Sequence, residues 1–113
     1  LKDVIAAARE MALADAAGYA KRMARLLEEA AQGEVAGRVI THAADRAMFQ
    51  KLLDALNAKR PASAKLSLDQ ATLSERGGFI FRTAAYDVDR TLDTLLAERE
   101  RVMAPELARA LFT

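Results

Sequence analysis

Two adjacent glycines followed at once by β-forming side chains, Gly77-Gly78-Phe79-Ile80-Phe81-Arg82, restrict the folds open to this chain more than any other stretch. Gly77 and Gly78 permit backbone angles closed to other residues, which suits an abrupt entry into a strand. Phe79, Ile80 and Phe81 fit a pleated, largely buried surface. The pattern predicts a strand over Gly78 to Thr83, a reversal through Thr83-Ala84-Ala85, and a returning strand over Tyr86 to Val88. Asp89 or Thr91 then offers an oxygen to the open N–H groups of a first helical turn, and Asp87, Asp89 and Asp93 suit its positive end. The stretch reads as a hairpin feeding an apolar C-terminal helix.

Upstream, residues 1–32 read as one long helix ending at a Gly33 cap. Its apolar positions, Ile5, Ala8, Ala12, Ala16, Tyr19, Met23, Leu27 and Ala30, align in groups of eleven, a spacing that favours right-handed supercoiling. The half from Tyr19 to Ala30 is expected to lie on its own domain. The half from Leu1 to Ala17 is expected to end a coiled coil continuing upstream, with Gly18 at the handover. Glu34 to Thr41 predicts a strand, with Val35 and Val39 on one face. A second helix follows, with Asp45 or Thr41 as cap, an apolar stripe of Met48, Phe49, Leu52, Leu53 and Leu56, and a stop at Asn57 ahead of Pro61. Ala64 to Asp69 alternates as a half-exposed strand, leaving Leu73 alone in a polar link. Leu92, Leu95, Leu96, Val102 and Met103 mark the final helix, which Pro105 kinks or restarts before Leu107, Leu111 and Phe112. The fold class is therefore α+β: a long N-terminal helix followed by a small sheet of about four strands, packed against two further helices.

The 113 residues fit one domain, and 52% hydrophobic with 29% charged residues is a folding composition. Seventeen basic and sixteen acidic residues are interspersed, which argues against a large phosphate-binding surface. With no cysteine there is no disulfide framework or thiolate chemistry. No apolar run approaches the ~20 residues that span a bilayer, and the start at Leu1 suggests that an upstream portion has been removed.

Catalytic chemistry needs a nucleophile, a base and a group that stabilises developing charge. His42, the one histidine, sits at a strand-to-helix turn where capping or plain exposure is the simpler role. Glu28-Glu29 and Glu98/Glu100 read as solvated helix charges and Asp87/Asp89 as a helix start. Gly77-Gly78 lacks the further glycines and the Lys-Ser/Thr of a phosphate loop. No catalytic, cofactor-binding or metal-ligating residue is assigned. The basic clusters Lys21-Arg22 with Arg25, Lys59-Arg60, and Arg99 with Arg101 read as surface charge, with an acidic protein partner as the sharper reading.

The order Gly-Gly-Phe-Ile-Phe, a short turn, Val88-Asp89-Arg90-Thr91-Leu92 and then Pro105-Glu106-Leu107-Ala108-Arg109-Ala110-Leu111-Phe112 resembles the C-terminal domain of the E-type peripheral stalk protein of V-type (archaeal/bacterial A/V-type) ATP synthases. The likeness is clearest over residues 77–112 and fainter over 34–68; the family's glycine in the hairpin turn is missing here. The resemblance implies a non-catalytic peripheral stalk (stator) component, cytoplasmic and peripheral to the membrane through its complex. Residues 1–17 would end the stalk helix and 18–113 would form the head. Ile5, Ala8, Ala12 and Ala16 are the candidate seam for the helix of the G-type stalk protein. Arg99, Arg101 and Arg109 are the candidate contacts to the B subunit, and through it the A/B nucleotide-binding ring. Gly77, Gly78, Thr91, Leu92, Leu107, Leu111 and Phe112 match the family motif and are assigned to folding. No cofactor and no nucleic acid is expected, while the fragment's bare helix invites self-association. The stator of flagellar or type III export ATPases is an alternative, and a small α+β RNA-binding module is one from another class.

Overall fold

Asp15 breaks the expected single helix. A computed structural model describes residues 2–33 and 35–98, with side chains from residue 6 onward. Within it Asp15 takes the non-helical angles φ −92° and ψ 84° and accepts a hydrogen bond from the Gly18 N–H at 3.1 Å. It thereby ends one helix, Lys2–Ala14 (α1), and caps the next, Ala16–Ala30 (α2). Gly18 is where it is to make room, because a Cβ there would stand 2.2 Å from the Asp15 carboxylate. The handover thus falls three residues before Gly18, and the eleven-residue register from Ile5 to Leu27 does not run through one continuous helix.

The strand Gly37–His42 (β1) starts later than the expected Glu34, leaving Val35 half-buried ahead of it. His42 Nδ1 accepts the Ala44 N–H at 3.0 Å and so caps the 3-10 turn Ala43–Asp45, the role expected of it. The helix Arg46–Asn57 (α3) follows, but neither expected cap serves it: Asp45 makes no capping hydrogen bond, and Thr41 Oγ1 donates instead to Gly78 O at 2.9 Å. Both side chains are spent on buried contacts. Asn57 ends α3 as expected and ties it to the strand Leu66–Leu73 (β2). Its Nδ2 donates to Leu66 O and its Oδ1 accepts from Leu66 N, both at 2.8 Å. Leu73 belongs to β2, opposite His42, rather than to a polar link.

Gly78–Arg82 (β3) and Asp87–Thr91 (β4) form the hairpin, and the chain is helical over the described residues 92–98 (α4). The helix begins after Thr91, so Asp87 and Asp89 lie in a strand. The glycine-free turn is closed by Thr83, whose N–H donates to Tyr86 O at 2.9 Å and whose Oγ1 accepts from Tyr86 N at 3.0 Å. Residues from 99 onward, including Val102, Met103, Pro105, Leu107, Leu111 and Phe112, lie outside the described residues.

The strands are ordered β2-β1-β3-β4. β1 and β2 run parallel, joined through α3 as a βαβ crossover needs, while the β1/β3 and β3/β4 pairs are antiparallel. The fold is thus α+β with a four-stranded mixed sheet. One face carries Val39, Leu66, Phe79 and Phe81, packed against Tyr19, Met23 and Leu27 of α2 and Phe49 and Leu53 of α3. Phe49 meets Phe79 edge to face at 5.4 Å between ring centres. Burying each such side chain stabilises the fold by roughly 1.5–3 kcal/mol. The other face of the sheet carries Arg38, Ile40, Ile80, Arg82, Asp87 and Asp89. Among the described residues no helix is long and apolar enough to cross a membrane.

Candidate functional site

The Gly77-Gly78 corner is where β1, α2, β4 and the start of α4 meet β3. Gly77 has φ +131° and Gly78 φ +79°. A Cβ on Gly78 would stand 2.2 Å from Arg90 O and 2.6 Å from Thr91 Cα, so only glycine lets β3 lie this close to the end of β4. Leu92 N donates to Gly77 O at 3.2 Å, and the buried Leu92 side chain packs beside Gly77, which fixes the entry to α4. Thr91 Oγ1 accepts the Thr94 N–H at 3.3 Å as the helix cap. Asp89 Oδ1 in turn accepts both the N–H and the hydroxyl of Thr91, at 2.9 and 2.8 Å. Partial burial works against the Asp89 carboxylate's charge, but the hydrogen bonds from Thr91 and Thr94 outweigh it and hold the group below the usual carboxylate range.

Gly78 is also held from the core. Its N–H donates to the Tyr19 hydroxyl at 2.8 Å, while its carbonyl receives the Thr41 hydroxyl. The Tyr19 hydroxyl donates onward to Asp45 Oδ2 at 3.1 Å, and Arg76 Nε donates to Asp45 Oδ1 at 2.9 Å. The Asp45 side chain is 2% exposed and Arg76 43%, so the network runs from the core to the surface. Burial pushes the Tyr19 phenol up to about 12, which keeps its proton in place as the donor to Asp45. Every buried polar side-chain atom among the described residues has a partner. The network therefore holds α2, the β1–α3 link and β3 in one arrangement. Its phenol is engaged with the Gly78 N–H and Asp45, and its carboxylate with Tyr19 and Arg76.

Beside this corner, α1 is clamped to the rest of the molecule. Arg9 Nη1 donates to Glu75 Oε2 at 2.7 Å and Asp93 Oδ1 at 2.6 Å, two acids that also line a cleft of about 190 Å³ formed by residues 73–77, Thr91 and Asp93. Arg22 Nη2 donates to Ala12 O at 3.2 Å near the end of α1, and Ala12 and Leu13 pack on the core.

These contacts bear on the seam expected from the sequence. Ala12 faces its own domain, Ala8 is half-buried, Ala16 is exposed beyond the break at Asp15, and Ile5 lies in the first turns of α1. Of the three with described side chains, Ala8 and Ala12 are half-buried and Ala16 is exposed; the exposed face of α1 among the described side chains carries Ala7, Glu10, Met11 and Ala14, with Met11 77% exposed. Arg99, Arg101 and Arg109 lie outside the described residues. Gly77, Gly78, Thr91 and Leu92 hold the fold, in the role expected of them.

The carboxylate pairs separate into distinct tasks. Asp87 pairs with Arg82 at 3.1 Å, Asp89 supports Thr91, and Glu28 and Glu29 are exposed on α2. Among the described residues no group of three or more His, Asp or Glu could hold a metal ion.

Sequence reasoning missed Thr41, Asp45 and Arg76 as network members and treated Tyr19 as one more apolar stripe position. The signal available was the hydroxyl itself, since a buried tyrosine needs a polar partner. It also missed Arg60, which donates to four backbone carbonyls: Ala64 at 2.6 Å, Ala31 at 3.0 Å, Gly33 at 3.1 Å and Val35 at 2.8 Å. In comparisons with known proteins, no family model matches the chain, and no curated protein matches it significantly.

Proposed function

We propose that this domain is a load-bearing head that anchors a helix, serving as the non-catalytic globular end of an E-type peripheral stalk protein in a rotary ATP synthase or ion-pumping ATPase. The observation that carries this reading is the clamp on α1. Arg9 joins α1 to the link before β3 and to the first turn of α4, Arg22 closes its C-terminal end, and Ala12 and Leu13 seat it on the core. A pull along α1 is then shared among the sheet, α2 and α4 rather than borne by one turn of chain. The sequence pattern from Gly77 to Phe112 adds the family likeness. Within this reading, the helix of the G-type stalk protein meets the exposed face of α1 at Ala7, Met11 and Ala14, and the B subunit of the A/B ring meets Arg99, Arg101 and Arg109. The export-ATPase stator would use the same head-and-helix arrangement.

The test is a titration of the chain against the recombinant G-type stalk protein and the isolated B subunit, with generic RNA as control. Saturable binding to both is expected, weakened by Met11→Glu for the stalk protein and by the double replacement Arg99→Glu with Arg101→Glu for the B subunit. Absence of binding to either protein overturns the reading, and salt-sensitive binding to RNA alone replaces it with a nucleic-acid module.

A further inference from the structure

The break between α1 and α2 is not written into the local sequence. Residues 6–31 contain no proline and no β-branched residue, and Gly18 is the only one of them with a large helix penalty. The apolar positions Ala8, Ala12, Ala16, Tyr19 and Met23 follow one another in steps of three or four straight through Asp15, as one helix would have them. Asp15 itself leaves the helix at a single bond. Its φ of −92° is close to the helical range, while its ψ of 84° must turn to about −42° for the helix to continue. Ala14, Asp15, Ala16 and Ala17 are all exposed, so none of their side chains is packed in a way that blocks that turn.

The bent form leaves the last carbonyls of α1 and the first N–H groups of α2 without helical partners. Two side chains stand in: Asp15 Oδ1 accepts the Gly18 N–H, and Arg22 Nη2 donates to Ala12 O. In a continuous helix Ala12 O would accept the Ala16 N–H, and residues 12 and 22 would stand about 15 Å apart along the axis, beyond an arginine's reach. The Arg22 bond therefore belongs to the bent form alone. That form is otherwise held by Arg9 on Glu75 and Asp93, two partly exposed and therefore weak ion pairs, and by the half-buried Ala12 and Leu13. One arrangement gains backbone hydrogen bonds and the other gains tertiary contacts.

We propose that Asp15 is a one-residue hinge between two states of this domain. In the state described above, the chain is bent at Asp15 and α1 is clamped. In the other, ψ at Asp15 is helical, Arg9 and Arg22 let go, and residues 2–30 form one helix about 43 Å long. Switching between them changes the direction in which α1 leaves the head. The Arg9 ion pairs are the latch, and weakening them shifts the population toward the long helix. The inference stands on the junction itself and does not depend on the stalk reading.

The chain lacks cysteine, so the double variant Ala7→Cys with Glu28→Cys places one spin label at an exposed position of each helix. Pulsed electron–electron resonance then reads the distance between them. Residues 7 and 28 are about 32 Å apart along the axis of a continuous helix and closer in the bent form. Two distances are expected, the longer one minor. Arg9→Ala and Asp15→Ala, each added separately, are expected to raise the ratio of long to short about fivefold, while the Ala16 and Ala17 amides gain protection from hydrogen exchange. Asp15→Asn, which keeps an oxygen for the Gly18 N–H, is expected to stay near wild type. A single distance throughout, short or long, or a ratio that neither alanine replacement changes, would overturn the proposal. So would a broad spread of distances with Ala16 and Ala17 unprotected, because α1 would then be melting rather than joining α2.

Discussion

Tyr19 shows how one hydroxyl can decide what a buried side chain does. A phenylalanine would fill the same space, yet it would leave the Gly78 N–H and one Asp45 oxygen without their partner. Tyr19→Phe is therefore expected to destabilise the domain by about 1–3 kcal/mol, as measured by denaturant unfolding. The tyrosine also sets an alkaline limit. Its folded value of about 12 exceeds the ordinary 10.0, with burial as the main cause, so the folded state holds the proton more tightly than the unfolded chain does. That contribution is full below pH 10, declines above it and is lost through pH 12. Across that window the native protein should lose roughly 2–3 kcal/mol that the Phe variant does not. A gap between the two proteins that stays constant from pH 9 to 11 would refute the assignment.

At the scale of elements, the ends matter more than the middles. The middles of α2, α3 and β3 follow their apolar patterns, while Asp15, Asn57, Thr83 and Thr91 decide where elements stop and start. Arg60 belongs in this group, because its guanidinium collects carbonyls from the end of α2, the approach to β1 and the approach to β2. A lysine keeps the charge but has one small ammonium in place of a rigid fork. Arg60→Lys is expected to lower stability by about 1–3 kcal/mol in chemical unfolding. Wild-type stability in that variant would show that solvent can satisfy those carbonyls equally well.

For the whole molecule, the question is how firmly α1 is joined to the rest. The Arg9 pairs are partly exposed at Glu75 and Asp93, so each contributes at most about 1 kcal/mol to global stability. Their effect should instead be local. Arg9→Ala is expected to shift the unfolding midpoint little while speeding amide exchange in α1 and leaving α2 protected. Unchanged exchange in α1 would mean that Ala12, Leu13 and Arg22 hold the helix unaided, and the load path through Arg9 would have to be dropped.

The sequence by itself determined the class, the apolar stripes of α2 and α3, the stop at Asn57 and the glycine-led entry to β3. Each of these depends on residues within a turn or two of one another, so their cause is local. The cap was legible as one of two neighbours, Asp89 or Thr91, for the same reason, and the structure gives the role to Thr91. The break at Asp15 was not, because an aspartate inside an alanine-rich run is equally compatible with a surface helix position until its carboxylate is seen over Gly18. Nor could the sequence show that Thr41 and Asp45 would leave their capping roles for Gly78, Tyr19 and Arg76, or that Arg38 and Arg82 would stand side by side. Those pairings join residues 26 to 59 positions apart, or depend on which strand lies beside which. Chain packing alone decides such neighbours, since a hydroxyl or carboxylate bonds to whatever polar group the fold brings within reach.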